Sequence, residues 1–253
     1  MLYSAKYNFI FSKSEKTAST SVEAALEYLI RGDFTNKANG FTNSILYLDG
    51  SRIGYRGSNP KDDPNFNTPA FSANHQSLKQ TKQMIGDKMF HNAFKISCIR
   101  NPYERLISSF HYFGGYPLDK FTHYKLNGEG DSIKSAFTEY IKSHKSAFYD
   151  GRAHFYCDNQ MIIDKFVRAE HLHKDLSDVL NYLDASSDDS KNILANIPAF
   201  KVSKRSQSNL VVSDYYTTET LELVNNWLSD WFALGGYTRI DSISDLENQY
   251  KKI

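Results

Sequence analysis

Short apolar runs alternate along this chain with amphipathic stretches, and the spacing of the apolar positions predicts the elements. Tyr7–Phe11 (YNFIF) is brief, aromatic-rich and apolar, which is the signature of a buried strand. After a polar loop come Val22, Ala25, Leu26, Leu29 and Ile30, whose spacing traces one face of a helix. Thr20 followed by Glu23 reads as a capping box at its start, and Gly32 as its stop. Residues 76–84 predict another helix, and Ala93–Ile99 (AFKISCI) a second buried strand. That strand runs directly into RNPYERLISSFHYF, where Asn101 suits a helix cap and Pro102 the first helical turn. An amphipathic helix is expected over 131–148 and a third strand at MIIDKFV, residues 161–167. Leu172, Leu176, Val179, Leu180 and Leu183 mark a further helix. Leu221, Val224, Leu228 and Phe232 mark a long helix over 218–232, ended by Gly235-Gly236.

The stretch 33–74 departs from this rhythm. It is rich in Asn, Gly, Ser and Pro and reads as an excursion from the core. Within it, SILYLDGSRIGY places Asp49-Gly50 between two alternating runs, a strong hairpin signal. Strands alternating with helices imply an α/β fold, a central parallel β-sheet covered by helices on both faces. No repeat or convincing boundary divides the chain, so residues 1–253 are expected to form a single domain.

Composition narrows the function classes. With 40% hydrophobic residues in a chain of 253, a sizeable core is expected. Thirty Lys+Arg against 29 Asp+Glu argue against a protein that coats nucleic acid. Two cysteines, Cys98 and Cys157, make no disulfide framework or metal-type spacing. No run reads as a signal peptide or membrane span, so the expected location is cytoplasmic.

The chemistry concentrates at two strand-to-helix junctions. FSKSEKTASTSVEAAL places Lys16, with Thr17, Ser19, Thr20 and Ser21, between the first strand and its helix. Amides at a helix start, the helix dipole and a lysine together suit an oxyanion such as a phosphate. It is no Walker loop, because the glycines of that pattern are missing. At the second junction Arg100 follows a strand and Ser108 lies two turns into the next helix, a pair suited to a second phosphate. The carboxyl edge of an open α/β sheet is where such ligands bind.

Together the two junctions resemble the sulfotransferase family. KTASTS resembles its 5′-phosphosulfate loop, commonly P-K-T-G-G-T-S, and IRNPYERLISSFHY its 3′-phosphate motif, R-N-P-x-x-R-x-x-S. NHQSLKQTKQMIG, KFVRAEHLHKDLSDVLNYL and SDYYTTETLELVNNWLSDWFALGGY follow in the family's order, with most likeness to the carbohydrate-type members. The loop departs from the pattern at Glu15, which replaces the proline, and at Ala18 and Ser19, which replace the glycines.

The resemblance implies a P-loop-NTPase-like fold and a donor, 3′-phosphoadenosine 5′-phosphosulfate (PAPS), with no metal. It implies Lys16 as the group that stabilises the leaving oxygen, with Thr17, Ala18, Ser19, Thr20 and Ser21 holding the 5′ end. Arg100 and Ser108 would hold the 3′-phosphate, joined by Lys204 or Arg205 of the basic loop KVSKRSQS, for which a solvated charge run is the competing reading. The acceptor would be a small molecule or glycan bearing a hydroxyl, with His75 as general base and His111 as its rival. His171 and His173 carry no specific signal. A phosphoryl transferase and a non-catalytic nucleotide-binding module are the alternatives. Residues 39–74, ending just before His75, are expected to serve the acceptor side as a lid.

Overall fold

A computed structural model describes residues 2–34, 46–54, 75–113, 130–143, 151–199 and 210–250. The chain forms two compact units: Met1–Ile99 with Gly151–Lys201, and Arg100–Asp150 with Val202–Ile253.

The first unit is built on a six-stranded mixed sheet. In chain order its strands are β1 (Leu2–Ser4), β2 (Phe9–Ser12), β3 (Leu46–Leu48), β4 (Ser51–Ile53) and β5 (Phe94–Ile99). A two-stranded ribbon, β6 (Tyr156–Cys157) and β7 (Gln160–Met161), precedes the sixth sheet strand, β8 (Lys165–Arg168). The order across the sheet is β3-β4-β1-β2-β5-β8. The expected parallel sheet is its β2–β5–β8 half; antiparallel β1, β4 and β3 extend it on the β2 side.

Side-chain alternation decides what covers each face. Leu2, Phe9, Phe11, Ile96, Cys98 and Val167 pack against α1 (Ser19–Arg31), α6 (Leu172–Tyr182) and α7 (Ser187–Ala195). Their neighbours in sequence point the other way, toward α3 (Asp87–Asn92), which follows α2 (Leu78–Ile85). There the Tyr3 hydroxyl reaches Met89 Sδ at 3.5 Å, and Lys95 Nζ lies over the Phe90 ring. Of the helix face anticipated from Val22, Ala25, Leu26, Leu29 and Ile30, the first four are buried and Ile30 is partly buried.

The hairpin forms where Asp49-Gly50 predicts it. Asp49 (φ 48°) and Gly50 (φ 73°) both take the left-handed conformation that a two-residue turn of this hand requires. The rest of the excursion, 35–45 and 55–74, lies outside the described residues. The expected strand at 161–167 divides instead. Met161 belongs to the ribbon, and only Lys165–Arg168 joins the sheet.

The second unit is helical among its described residues: α4 (Pro102–Phe113), α5 (Gly130–Ser143), α8 (Thr218–Trp227), α9 (Ser229–Gly235) and α10 (Ile243–Gln249). The long helix expected over 218–232 breaks at Leu228, which leaves helical geometry at φ −106°, ψ 25°, and Gly236 ends the second piece in the left-handed conformation. Rings of Phe110, Phe137, Tyr140, Tyr215 and Tyr216 meet edge to face in the core of this unit. No helix among the described residues is long and apolar enough to cross a membrane.

Candidate active site

The loop after β2 is held by its own side chains. Ser14, fully buried, donates its hydroxyl to the Cys98 carbonyl at the end of β5. The Ser14 carbonyl accepts from Thr17 Oγ1 at 3.1 Å and from Ser19 Oγ at 2.6 Å. Two of the four hydroxyls read from the sequence as oxyanion donors are therefore spent on shaping the loop. Thr20 makes no side-chain hydrogen bond among the described residues. Lys16 (φ 60°) and Ala18 (φ 60°, ψ 13°) are both left-handed. At Ala18 the family pattern has glycine, and the structure shows why: an L side chain is strained there by about 1–2 kcal/mol.

Ala18 occupies the cap position of α1, and no side-chain oxygen caps the helix. This corrects the capping box expected from Thr20 and Glu23. Glu23 turns inward, where Glu23 Oε2 meets Lys13 Nζ at 2.8 Å with both side chains essentially inaccessible. A buried ammonium outbids a backbone amide for a carboxylate, since an unpaired charge at that depth is far more costly. The start of α1 is left with no side-chain cap and no acidic residue in its first turn, both favourable to an anion.

Lys13 also joins the loop to His75. Its carbonyl lies 2.8 Å from His75 Nδ1. A carbonyl can only accept, so Nδ1 carries the proton and Nε2 presents its lone pair. His75 Nε2 has no hydrogen-bond partner among the described residues. Burial first, then the Lys13 ammonium, push the His75 pKa down to about 3 and keep the ring neutral. A second ring, His154, stands 6.1 Å away with its Nδ1 on the Gln76 carbonyl at 3.1 Å.

The second junction lies in the helical unit. Asn101 Oδ1 accepts from the Tyr103 amide at 3.0 Å, and Pro102 opens α4, both as expected. Arg100 pairs with Glu104 at 3.3 Å, each side chain partly exposed. Ser108 is nearly buried yet makes no side-chain hydrogen bond among the described residues, whereas its neighbour Ser109 bonds Tyr140 OH at 2.8 Å. Arg105, the other arginine of the motif, is buried with its guanidinium 4.2 Å from the Trp231 ring, a packing role. The Tyr103 hydroxyl donates to Asn225 Oδ1 at 2.6 Å and accepts from the Ile240 amide at 2.9 Å, which anchors α4.

His111, the rival base, has Nε2 2.7 Å from the Tyr215 hydroxyl and packs edge-on to that ring. His171 and His173 are exposed. Lys204 and Arg205 lie outside the described residues.

Residues 1–233 match the model of the sulfotransferase family. The chain belongs to that family. No curated protein and no solved structure matches it. Membership makes this protein a transferase of sulfuryl groups, and the match runs through both junctions. Among the described residues of this sulfotransferase no group of His, Cys, Asp or Glu could hold a metal ion. Sequence reasoning missed Lys13 and His154 and misread Glu23 as a cap. The one available signal was a lysine directly after a buried strand with a carboxylate beside the apolar stripe of the following helix, a pattern shared by many solvated pairs.

Proposed function

We propose that the protein transfers the sulfuryl group of PAPS to a hydroxyl of a carbohydrate or glycan acceptor. The observation that carries this is the Lys13 carbonyl bond to His75 Nδ1, which ties a histidine with an accepting Nε2 to the anion-receptive loop. The family match runs through both compact units, which supports reading residues 1–253 as one catalytic domain.

The residues fit the donor. The uncapped start of α1, free of acid in its first turn, suits the 5′-phosphosulfate, and Thr20 and Ser21 stand in that turn. Thr17 and Ser19 serve through their backbone amides, because their hydroxyl protons are taken up by Ser14: Thr17 Oγ1 lies 2.8 Å from Ser14 Oγ and 3.1 Å from its carbonyl, and Ser19 donates to that carbonyl. Arg100 and Ser108 hold the 3′-phosphate, Arg100 exchanging part of its bond to Glu104 for it. PAPS supplies a sulfuryl group already bonded to a good leaving phosphate. Lys16 stabilises the negative charge that grows on the bridging oxygen as the sulfur–oxygen bond breaks. His75 Nε2 takes the acceptor's proton as the new sulfur–oxygen bond forms. At a pKa of about 3 the histidine is a weak base, but an anionic donor on the loop opposes the Lys13 ammonium and raises it.

Turnover with sulfur-labelled PAPS over a panel of hydroxylated saccharides tests the reading, together with titration by 3′,5′-bisphosphoadenosine and by ATP. Labelled product and tight binding of the bisphosphate alone are expected. Preference for ATP with phosphoryl transfer would replace it, and nucleotide binding without turnover on any acceptor would leave a binding module.

A further inference from the structure

The parallel strands have a second edge, opposite the loop, and it carries a cleft of about 640 Å³. Asn8 precedes β2 there, Phe94 begins β5 and Asp164 precedes β8. One wall is an aromatic plate. Phe94 and Tyr182 stack with ring centroids 3.8 Å apart and planes within 22°, and Tyr182 remains 64% exposed. Phe94 stacks on one face of Tyr182, whose ring stays largely exposed.

The polar groups lining the cleft are of both kinds. Lys95, only 7% exposed, donates from Nζ to the Ala93 carbonyl at 2.8 Å and the His91 carbonyl at 3.5 Å, with no carboxylate paired to it among the described residues. Asp164 Oδ2 accepts from the Lys95 amide at 2.7 Å, leaving Oδ1 as an acceptor. Asn8 Nδ2 donates to the Asn92 carbonyl at 3.0 Å, leaving its Oδ1. Asp184 is exposed at the end of α6. Two carboxylates facing the same space as Lys6 and Lys95 exclude a site selective for one sign of charge. An apolar ligand would strand these groups without partners.

A flat ring with interleaved donors and acceptors is what a neutral sugar needs: its C–H face lies on the aromatic plate and its hydroxyls both give and take hydrogen bonds. We propose that this cleft binds a neutral pyranose unit, a saccharide subsite separate from the loop. Six residues of β5 separate the two edges by on the order of 20 Å. One sugar ring cannot reach both, so the subsite selects extended glycans. Its role as an acceptor anchor rests on the function proposed above; its binding of sugar does not, because binding is measured without donor.

The test is saturation-transfer NMR and titration with neutral tetrasaccharides of N-acetylglucosamine, galactose and xylose. At least one is expected to bind, with saturation on its C–H protons. Tyr182→Ala should weaken it about three- to tenfold, the effect of a lost aromatic contact, and Tyr182→Phe should restore it. Lys16→Ala and saturating 3′,5′-bisphosphoadenosine should leave binding unchanged. The proposal is overturned if no tetrasaccharide binds, if Tyr182→Ala binds as well as wild type, or if the bisphosphate displaces the sugar. Failure of turnover in the presence of intact, Tyr182-dependent binding would count against the sulfotransfer reading alone.

Discussion

The loop after β2 and the turn after β5 are the same device in outline, a strand leading into a helix with a cation and hydroxyls at the junction. They differ in what those hydroxyls do. Around Ser14 the loop consumes its own donors: Thr17 and Ser19 both point into the Ser14 carbonyl, and Lys13 is locked to Glu23 beneath them. At the second junction, among the described residues, Ser108 has no side-chain partner and Arg100 is held by a partly exposed pair one turn along the chain. The first region is organised before any ligand arrives, and its side chains contribute shape. The second leaves the Ser108 hydroxyl uncommitted among the described residues. A hydroxyl in a phosphate-type motif is thus no guide to its job until its proton is located.

Four experiments break or sharpen that contrast. The largest effect should come from the buried pair. Lys13→Met removes the ammonium that faces the buried Glu23 carboxylate, and should cost about 3–5 kcal/mol in a urea melt. Adding Glu23→Leu should return most of that loss; if the double variant is as unstable as the single, the pair is not what organises the loop. Next is Lys16→Ala, which should keep the fold and lower kcat by about 10²–10³-fold, as the loss of one charge-stabilising donor does. Near wild-type kcat would remove Lys16 from the chemistry.

Arg100→Ala should weaken 3′,5′-bisphosphoadenosine by about tenfold to a hundredfold in calorimetry, from roughly 1.5–3 kcal/mol for a charge-assisted bond. The 3′-dephospho nucleotide should be spared, and Ser108→Ala should show the same selectivity with a smaller loss. Equal losses for both nucleotides would remove the second junction from the site.

The gentlest change is one of slope. His75 has its pKa lowered from 6.5 to about 3, so the unfolded chain binds the proton more readily. Stability should therefore fall as pH drops from about 6.5 toward 3. His75→Gln should flatten that limb, while His111→Gln should not. The reverse result would exchange the two histidines.

Much of this was legible in the sequence because it is local. The apolar stripe of α1, the Asn101-Pro102 opening of α4 and the Asp49-Gly50 turn each depend on residues a few positions apart. Glu23 was misread for the opposite reason. Its spacing from Thr20 satisfies a capping pattern, but a lysine on the far side of the loop offers the stronger partner, and only the fold brings that lysine near. Likewise the bond from Lys13 to His75 spans 62 positions. Sequence order placed His75 in the family's pattern; it did not indicate which ring nitrogen would be protonated. β1 was missed because three residues are too few to show alternation, and its pairing with β2 and β4 is what makes it a strand.

Cys98 stands directly under the loop, fully buried, with its carbonyl taking the Ser14 hydroxyl and its thiol pushed well above the ordinary range by burial. Such a sulfur is protonated and out of reach, hence inert toward alkylating reagents while the sheet is closed. It becomes a built-in clock. The rate at which iodoacetamide captures Cys98 measures how often β5 parts from the loop above it, and a donor nucleotide seated on that loop should slow the clock.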